Sequence, residues 1–184
     1  MKIFIATDIH GSARRADELL HKFGESGADT LVLLGDLYNH GPRNPFPDEY
    51  APSLVAEKFN GISDKIIAVK GNCDSEVDEM ISEFPIIEEE ILLWGGRRLF
   101  FTHGHLCNKD NLPCGIKRGD VLFYGHFHVN GITERNGVIC VNVGSASLPK
   151  DGKRSYCIVD DNAVTLYDLD GNVIETKRFD KSTY

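Results

Sequence analysis

Residues 2–36 read KIFIATDIHGSARRADELLHKFGESGADTLVLLGD. The stretch opens on an apolar run, 2–7, that ends in a turn. Ser12 then precedes Ala13, Ala16, Leu19, Leu20 and Phe23, which recur at helical spacing to about residue 25, with Gly24 and Gly27 as terminators. Residues 30–34 are a second unbroken apolar run. Strand, helix and strand of these lengths make a βαβ unit, whose strands are parallel and buried on both faces. Both strands therefore end at one edge of the sheet, and each runs into a carboxylate: Asp8, in Asp8-Ile9-His10, and Asp36, in Gly35-Asp36. That carboxyl edge is where open α/β sheets place their sites.

The same pattern recurs downstream. Residues 66–69 are an apolar run that delivers Gly71-Asn72-Cys73-Asp74, after a loop, 38–52, holding four prolines and a helix expected over 53–60. A short helix is expected over 74–83. Asp74 reads as its N-cap, the alternative being that it orients a ligand. Gly95-Gly96 separates two strand runs, 88–93 and 97–102, and the second reaches Thr102-His103-Gly104-His105. Residues 121–124 end at Gly125-His126-Phe127-His128. Asn136-Gly137 is a type I′ hairpin signal between runs 131–135 and 138–143, and runs 155–159, 163–167 and 173–178 form a terminal meander. The front half is thus βαβαβ and the back half mostly antiparallel.

Asp8, His10, Asp36, Asn72, His103, His126 and His128 all follow strand-like runs. Alone, each reads as a turn residue or a structural histidine. Together they are a donor set for divalent ions such as Mn, Fe or Zn, and seven groups at strand ends point to two metals. Five of the chain's 7 histidines lie in these blocks. A His-x-His pair on a strand would turn both rings to one face.

The order D-x-H, G-D, G-N-x-D, T-H-G-H, G-H-x-H resembles that of the calcineurin-like metallophosphoesterases, and residues 35–52 and 71–77 resemble its small bacterial phosphodiesterases. The resemblance runs from residue 1 to about 167. It implies an α/β fold, a four-layer α-β-β-α sandwich of two mixed sheets. It also implies a single domain over residues 1–184. Asp8, His10 and His128 would hold one metal, Asn72, His103 and His126 the other, with Asp36 bridging. The implied activity is hydrolysis of small phosphate diesters by in-line attack of a metal-bridging hydroxide, with manganese the favoured ion and Fe, Zn, Ni or Mg as alternatives. Asn142-Val143-Gly144-Ser145 resembles the family's closing turn behind the site. Phosphomonoesterase or nuclease activity is the alternative chemistry, and a protein-binding scaffold like the retromer subunit of this fold the alternative role. Its complete set of coordinating side chains favours catalysis.

Further catalytic candidates are His105, Arg43, His40 and Cys73. Arg43 could hold a phosphate oxygen bidentately and His40 could donate a proton. Cys73 stands where many phosphomonoesterases of the superfamily carry a histidine thought to protonate the leaving group. A thiol is the poorer proton donor, which fits a diesterase acting on good leaving groups. Phe46 and Tyr50 are expected to anchor the long loop.

The balance of 20 basic and 28 acidic residues, net −8, argues against attraction of nucleic acid or an acidic membrane surface. No apolar run approaches a membrane span. The first apolar run is too short for a signal peptide, and five cysteines without a CxxC pair read as reduced thiols in the cytoplasm. Apolar strands in the second sheet are compatible with a homo-oligomer.

Overall fold

The computed structural model describes residues 2–179; residue 1 and residues 180–184, which the expected domain includes, lie outside the described part. The opening stretch forms β1 (Ile3–Ala6), α1 (Ala13–Ser26) and β2 (Thr30–Leu33), and the strands are parallel, with Ile3 beside Thr30. Ser12 caps α1, its hydroxyl accepting from the Arg15 amide at 3.4 Å. Gly27, at φ 64, ends the helix. Gly24 does not terminate it but lies inside it, its helical backbone unbroken until the left-handed turn at Gly27.

A second helix, α2 (Pro52–Asn60), starts one residue earlier than the spacing indicates, because proline suits the first helical turn. A short 3-10 turn, Ser63–Lys65, leads to β3 (Ile66–Val69), parallel to β2. α3 is shorter than expected, Glu76–Ile81, and Ser75 occupies its N-cap, where the Asp78 carboxylate accepts from the Ser75 amide at 2.7 Å. Asp74 is therefore not the cap. A two-residue strand, β4 (Ile86–Ile87), pairs parallel with β3; its sequence carries too little periodicity to announce it.

The next strands are β5 (Glu90–Trp94), β6 (Arg97–Phe101), β7 (Val121–Tyr124), β8 (Gly131–Arg135) and β9 (Val138–Asn142), then the meander β10 (Ser155–Val159), β11 (Ala163–Asp168) and β12 (Val173–Arg178). Asn136 and Gly137 both have positive φ, 55 and 79, as the β8–β9 hairpin requires. The meander joins the first sheet, in the order β12-β11-β10-β1-β2-β3-β4. The second sheet is β5-β6-β7-β9-β8, and it is less antiparallel than the sequence pattern indicates: β6, β7 and β9 run parallel in its centre.

The two mixed sheets face each other over a core that holds Ile3, Ile5, Val32, Leu99, Phe101, Phe123 and Val141. The alternate residues Phe4 and Ala6 turn to the opposite face of the first sheet, against Ala16, Leu19, Val55 and Phe59 of α1 and α2. This two-sided burial is why β1 reads as an uninterrupted apolar run. Beyond the second sheet, Leu112 and Ile116 pack on Phe100, Leu122 and Cys140. No helix of the described residues is long and apolar enough to cross a membrane.

Candidate metal centre

β1, β2 and β3 end beside the ends of β6 and β7, so five loops from two sheets meet at one edge. The loops are laced by backbone bonds: Asp8 N–H donates to the Gly35 carbonyl at 3.1 Å and His10 N–H to the Asp36 carbonyl at 2.8 Å. Five of the seven candidate ligands sit in the left-handed region, Asp8 (φ 55), His10 (52), Asp36 (54), His126 (66) and His128 (58). Each such non-glycine residue costs on the order of 1–3 kcal/mol, a strain that concentrates at functional sites. His126 and His128 therefore converge through a coiled turn past the end of β7, not by the alternation of a strand. Two glycines permit the packing. A Cβ at Gly71 would strike the Asp36 carboxylate and amide, and one at Gly125 would strike Thr7 and the Asp8 carboxylate.

The imidazole environments fix which nitrogen faces the centre. Nδ1 of His10 lies 2.8 Å from the Asn39 carbonyl, Nδ1 of His103 2.7 Å from that of Leu34, and Nδ1 of His128 2.7 Å from that of Leu148. A carbonyl only accepts, so each Nδ1 carries the proton and each Nε2 presents a lone pair inward. His10 Nε2 then lies 3.1 Å from His128 Nε2 and 3.5 Å from Asp8 Oδ1, with His128 Nε2 3.1 Å from the same oxygen. Three acceptors face one another, and Asp8 Oδ1 is buried without a hydrogen-bond donor. A cation reconciles them.

The second group is similar. His103 Nε2 stands 3.0 Å from Asn72 Oδ1, 3.3 Å from His126 Nδ1 and 3.4 Å from Asp36 Oδ2. Asp36 Oδ2 is also 3.8 Å from His10 Nε2, which puts one carboxylate oxygen between the two groups. The other oxygen, Oδ1, accepts from the Cys73 amide at 2.8 Å. Asp8, His10, Asp36, His103 and His128 are buried, whereas Asn72 is exposed and His126 half-buried, so the second group forms the solvent side.

The electrostatics show how strongly this site favours positive charge. Burial opposes charge on His103, yet its contact with Asp36 and the charges of Asp8 and Asp36 lift it to about 9. Burial likewise opposes charge on His10, and the Asp8 contact and charge still raise it. Asp8 and Asp36 are held below the usual carboxylate range: burial works against this, and the histidine contacts prevail.

Asp74 is buried and its carboxylate accepts from three amides, Gly71 (2.7 Å), Asp36 (2.8 Å) and Leu37 (2.8 Å). It ties the Asp36 loop to the Asn72 loop, the reading placed second from sequence. Burial, first, and the Asp36 charge lift it to about 6 against those amides. Cys73 Sγ accepts from Asn72 at 3.2 Å and lies near His10 and Asp36; burial and the Asp36 charge push its thiol up to about 12. Arg43 lines the 710 Å³ cavity over the site, with Asn39, Asn72, Cys73, His126 and His128. His40 is not among that cavity's lining residues: its ring stacks on Phe46 at 4.4 Å, with Tyr50 at 5.3 Å, inside the loop. His105 is exposed, its ring 5.4 Å from that of His103 and 6.1 Å from that of His126.

Several contributors escaped the sequence reading. Thr7 Oγ1 donates to Asp8 Oδ2 at 2.7 Å, and Ser147 joins Ser145 in donating to the Asp8 carbonyl, each at 2.9 Å. Phe127 and Lys150 line the cavity. Ser145 lies in the closing turn that the sequence singles out; Ser147, two residues beyond it, and Lys150 had no signal.

Clustered carboxylates and imidazoles at the shared carboxyl edge of two facing sheets are the arrangement of a metallophosphoesterase. The chain belongs to the calcineurin-like phosphoesterase superfamily, whose domain matches residues 1–163. Phosphodiesterase YfcE of Escherichia coli K12 is 46% identical over 177 residues, 95% of either chain, and probable metallophosphoesterase YsnB of Bacillus subtilis 168 is 30% identical over 187 residues, again 95% of either. The structure of the E. coli phosphoesterase YfcE matches with a TM-score of 0.94 at 44% identity, covering 98% of this chain and 100% of that one. Vps29 of Entamoeba histolytica in complex with zinc shares the fold, with a TM-score of 0.58 at 21% identity, over 98% of this chain and 100% of that one. The family consists of hydrolases that act with divalent metal ions, and three groups have donor atoms close enough together to be candidate ligands for them: Asp8, His10 and His128; Asp8, Asp36 and His103; and His10, Asp36 and Cys73.

Proposed function

We propose that the protein is a cytoplasmic phosphodiesterase that hydrolyses small phosphate diesters at a centre of two divalent ions. The observation that carries this reading is the placing of Asp36 Oδ2, 3.8 Å from His10 Nε2 and 3.4 Å from His103 Nε2. A shared carboxylate is what two neighbouring cations need to offset their repulsion. Asp8, His10 and His128 would hold one ion and Asn72, His103 and His126 the other. Manganese suits this mixed nitrogen and oxygen set, as would Fe, Zn, Ni or Mg. Bound there, the ions supply charge for the phosphate oxygens and acidify water at neutral pH.

The chain's own groups do the rest. The carbonyls of Asn39, Leu34 and Leu148 hold three imidazoles in the tautomer that offers Nε2. Asp74 keeps the Asp36 and Asn72 loops in register. Cys73 remains a thiol, and with no imidazole at that position among the cavity's lining residues, departure of the alcohol depends on its own stability. That favours diesters with good leaving groups over alkyl monoesters. The 46% identity to Phosphodiesterase YfcE supports a diester as the substrate class. Net charge of −8 disfavours nucleic acid as substrate.

The test is hydrolysis of bis(p-nitrophenyl) phosphate and p-nitrophenyl phosphate by chelated protein, before and after Mn²⁺ is restored, with Asp36→Asn as control. Diester turnover that returns with the metal and fails in the variant is expected. Fully loaded protein that turns over neither ester refutes the reading.

A further inference from the structure

The cavity over the metal centre is much larger than a phosphate group needs. Its 710 Å³ lies in the range, roughly 300–1,000 Å³, of cavities that enclose whole drug-sized ligands. Two cations line it that the candidate metal site does not use, Arg43 and Lys150. Both are exposed, and neither forms an ion pair with another described residue. In a chain of net charge −8, two unpaired cations lining one cavity favour an anionic ligand there.

Their placing is specific. Lys150 N–H donates to the His128 carbonyl at 2.8 Å, and two residues earlier the Leu148 carbonyl accepts from His128 Nδ1. Arg43 follows Asn39, whose carbonyl accepts from His10 Nδ1 at 2.8 Å. The turn between them is set by the Gly41 amide on Asn39 Oδ1 (2.8 Å) and by the Asn44 side chain on the His40 carbonyl (2.9 Å). Each cation thus rides on a segment that also steadies an imidazole of the Asp8–His10–His128 group. The Gly41 turn beside Arg43 also packs close to Cys73, a Cβ on Gly41 falling 2.9 Å from its Sγ.

We propose that Arg43 and Lys150 are specificity-determining residues that read a second anionic group on the substrate: the preferred diester carries a phosphate or similar anion on one of its two alcohol arms, which lies over the His10–His128 end. This rests on the phosphodiesterase reading above. The two ions hold the scissile phosphate, and the two side chains hold the charge on the arm. A guanidinium and an ammonium differ here in kind, Arg43 forming a planar fork and Lys150 a point charge, and together they suit a tetrahedral dianion.

The experiment compares two p-nitrophenyl diesters on the metal-loaded protein, one with a 2-methoxyethyl arm, which carries no internal nucleophile, and one with a 2-phosphooxyethyl arm. Alongside, the affinities of n-propyl phosphate and propane-1,3-diol bisphosphate are measured by calorimetry. The charged arm should raise kcat/KM about tenfold, and the bisphosphate should bind about tenfold tighter. Both ratios should shrink in Lys150→Ala and Arg43→Ala, approach unity in the double variant, and fall with added salt. The variants change exposed loop positions, and unchanged thermal unfolding checks their folding. Equal kcat/KM and equal affinity in the wild type, or a preference that survives in the double variant, overturns the proposal. Turnover of the methoxyethyl diester without any preference sinks this inference alone. Failure to turn over either diester sinks the phosphodiesterase reading, and the affinity ratio then decides the anion pair by itself.

Discussion

Removing the metal should make the protein's stability fall with pH between about 6.5 and 9. Without a cation, the inward-facing acceptors can be reconciled by a proton, and His103 is the group best placed to hold it. Its ordinary value is 6.5 and its folded value about 9. The folded value is the higher one, so the stabilisation is complete below 6.5 and lost as pH rises through 9. In that window the native state holds one more proton than the unfolded chain, so stability drops by about 1.4 kcal/mol per pH unit. Over 2.5 units the loss is roughly 3 kcal/mol, a large share of a typical 5–15 kcal/mol. His10, also raised, acts in the same direction. Two other sets of groups bound the window. Asp74, lifted to about 6, has ionised below it, and Cys73, Cys107, Cys140 and Cys157, all raised chiefly by burial, add a loss of their own as pH nears the ordinary thiol value of 9.0, so the His103 slope is read below pH 8. His105 and His126, lowered chiefly by burial, affect stability only as pH falls below their ordinary 6.5.

The assay is urea unfolding in a chelator across pH 6 to 9.5, with and without saturating Mn²⁺. Metal replaces the proton, so the loaded protein should lack the slope, and metal uptake at pH 7.5 should release a proton, visible as a buffer-dependent binding enthalpy. His103→Gln should remove most of the slope from the metal-free protein. A flat metal-free profile, or an unchanged slope in His103→Gln, refutes the claim that the buried acceptors at His103 and Asp36 demand a positive charge.

Asn72→Ala removes the oxygen 3.0 Å from His103 Nε2 and should reduce metal content, by elemental analysis, toward one tightly held equivalent. Asp74→Ala leaves three buried amides without an acceptor; it should cost about 1–3 kcal/mol in denaturant unfolding and weaken metal affinity about 10–100-fold. Gly125→Ala drives a methyl into Thr7 and the Asp8 carboxylate, and should cut diesterase activity about 100-fold, because small displacements of reacting groups are that costly. Phe127, 42% exposed on the cavity wall, should matter to aryl substrates: Phe127→Ala should leave unfolding within about 0.5 kcal/mol while raising KM for a bis-aryl diester a few-fold.

What could be read in the sequence was what repeats. β1 and β2 are unbroken apolar runs around a periodic helix with a serine cap and a left-handed glycine, and that pattern alone places Asp8 and Asp36 at one edge. The parallel centre of the second sheet could not be read this way. Nothing in residues 97–101, 121–124 and 138–142 says that β6, β7 and β9 run in one direction, since the chain returns between them through irregular loops and a hairpin. His126 and His128 do not converge by strand alternation, for a related reason. A period-two argument needs extended backbone, and φ of 66 and 58 at His126 and His128 is a turn. Asp74 shows the limit most clearly. An aspartate just before a helix is ordinarily a cap, and only the distant amides of Asp36 and Leu37 turn it into a brace between ligand loops. The ligands are held in left-handed conformations that cost energy, and the bonds that hold them there come from backbone groups far away in sequence. A motif names the ligands, but carbonyls at Leu34, Asn39 and Leu148 decide that three imidazoles turn the same nitrogen inward, and carbonyls carry no sequence signature.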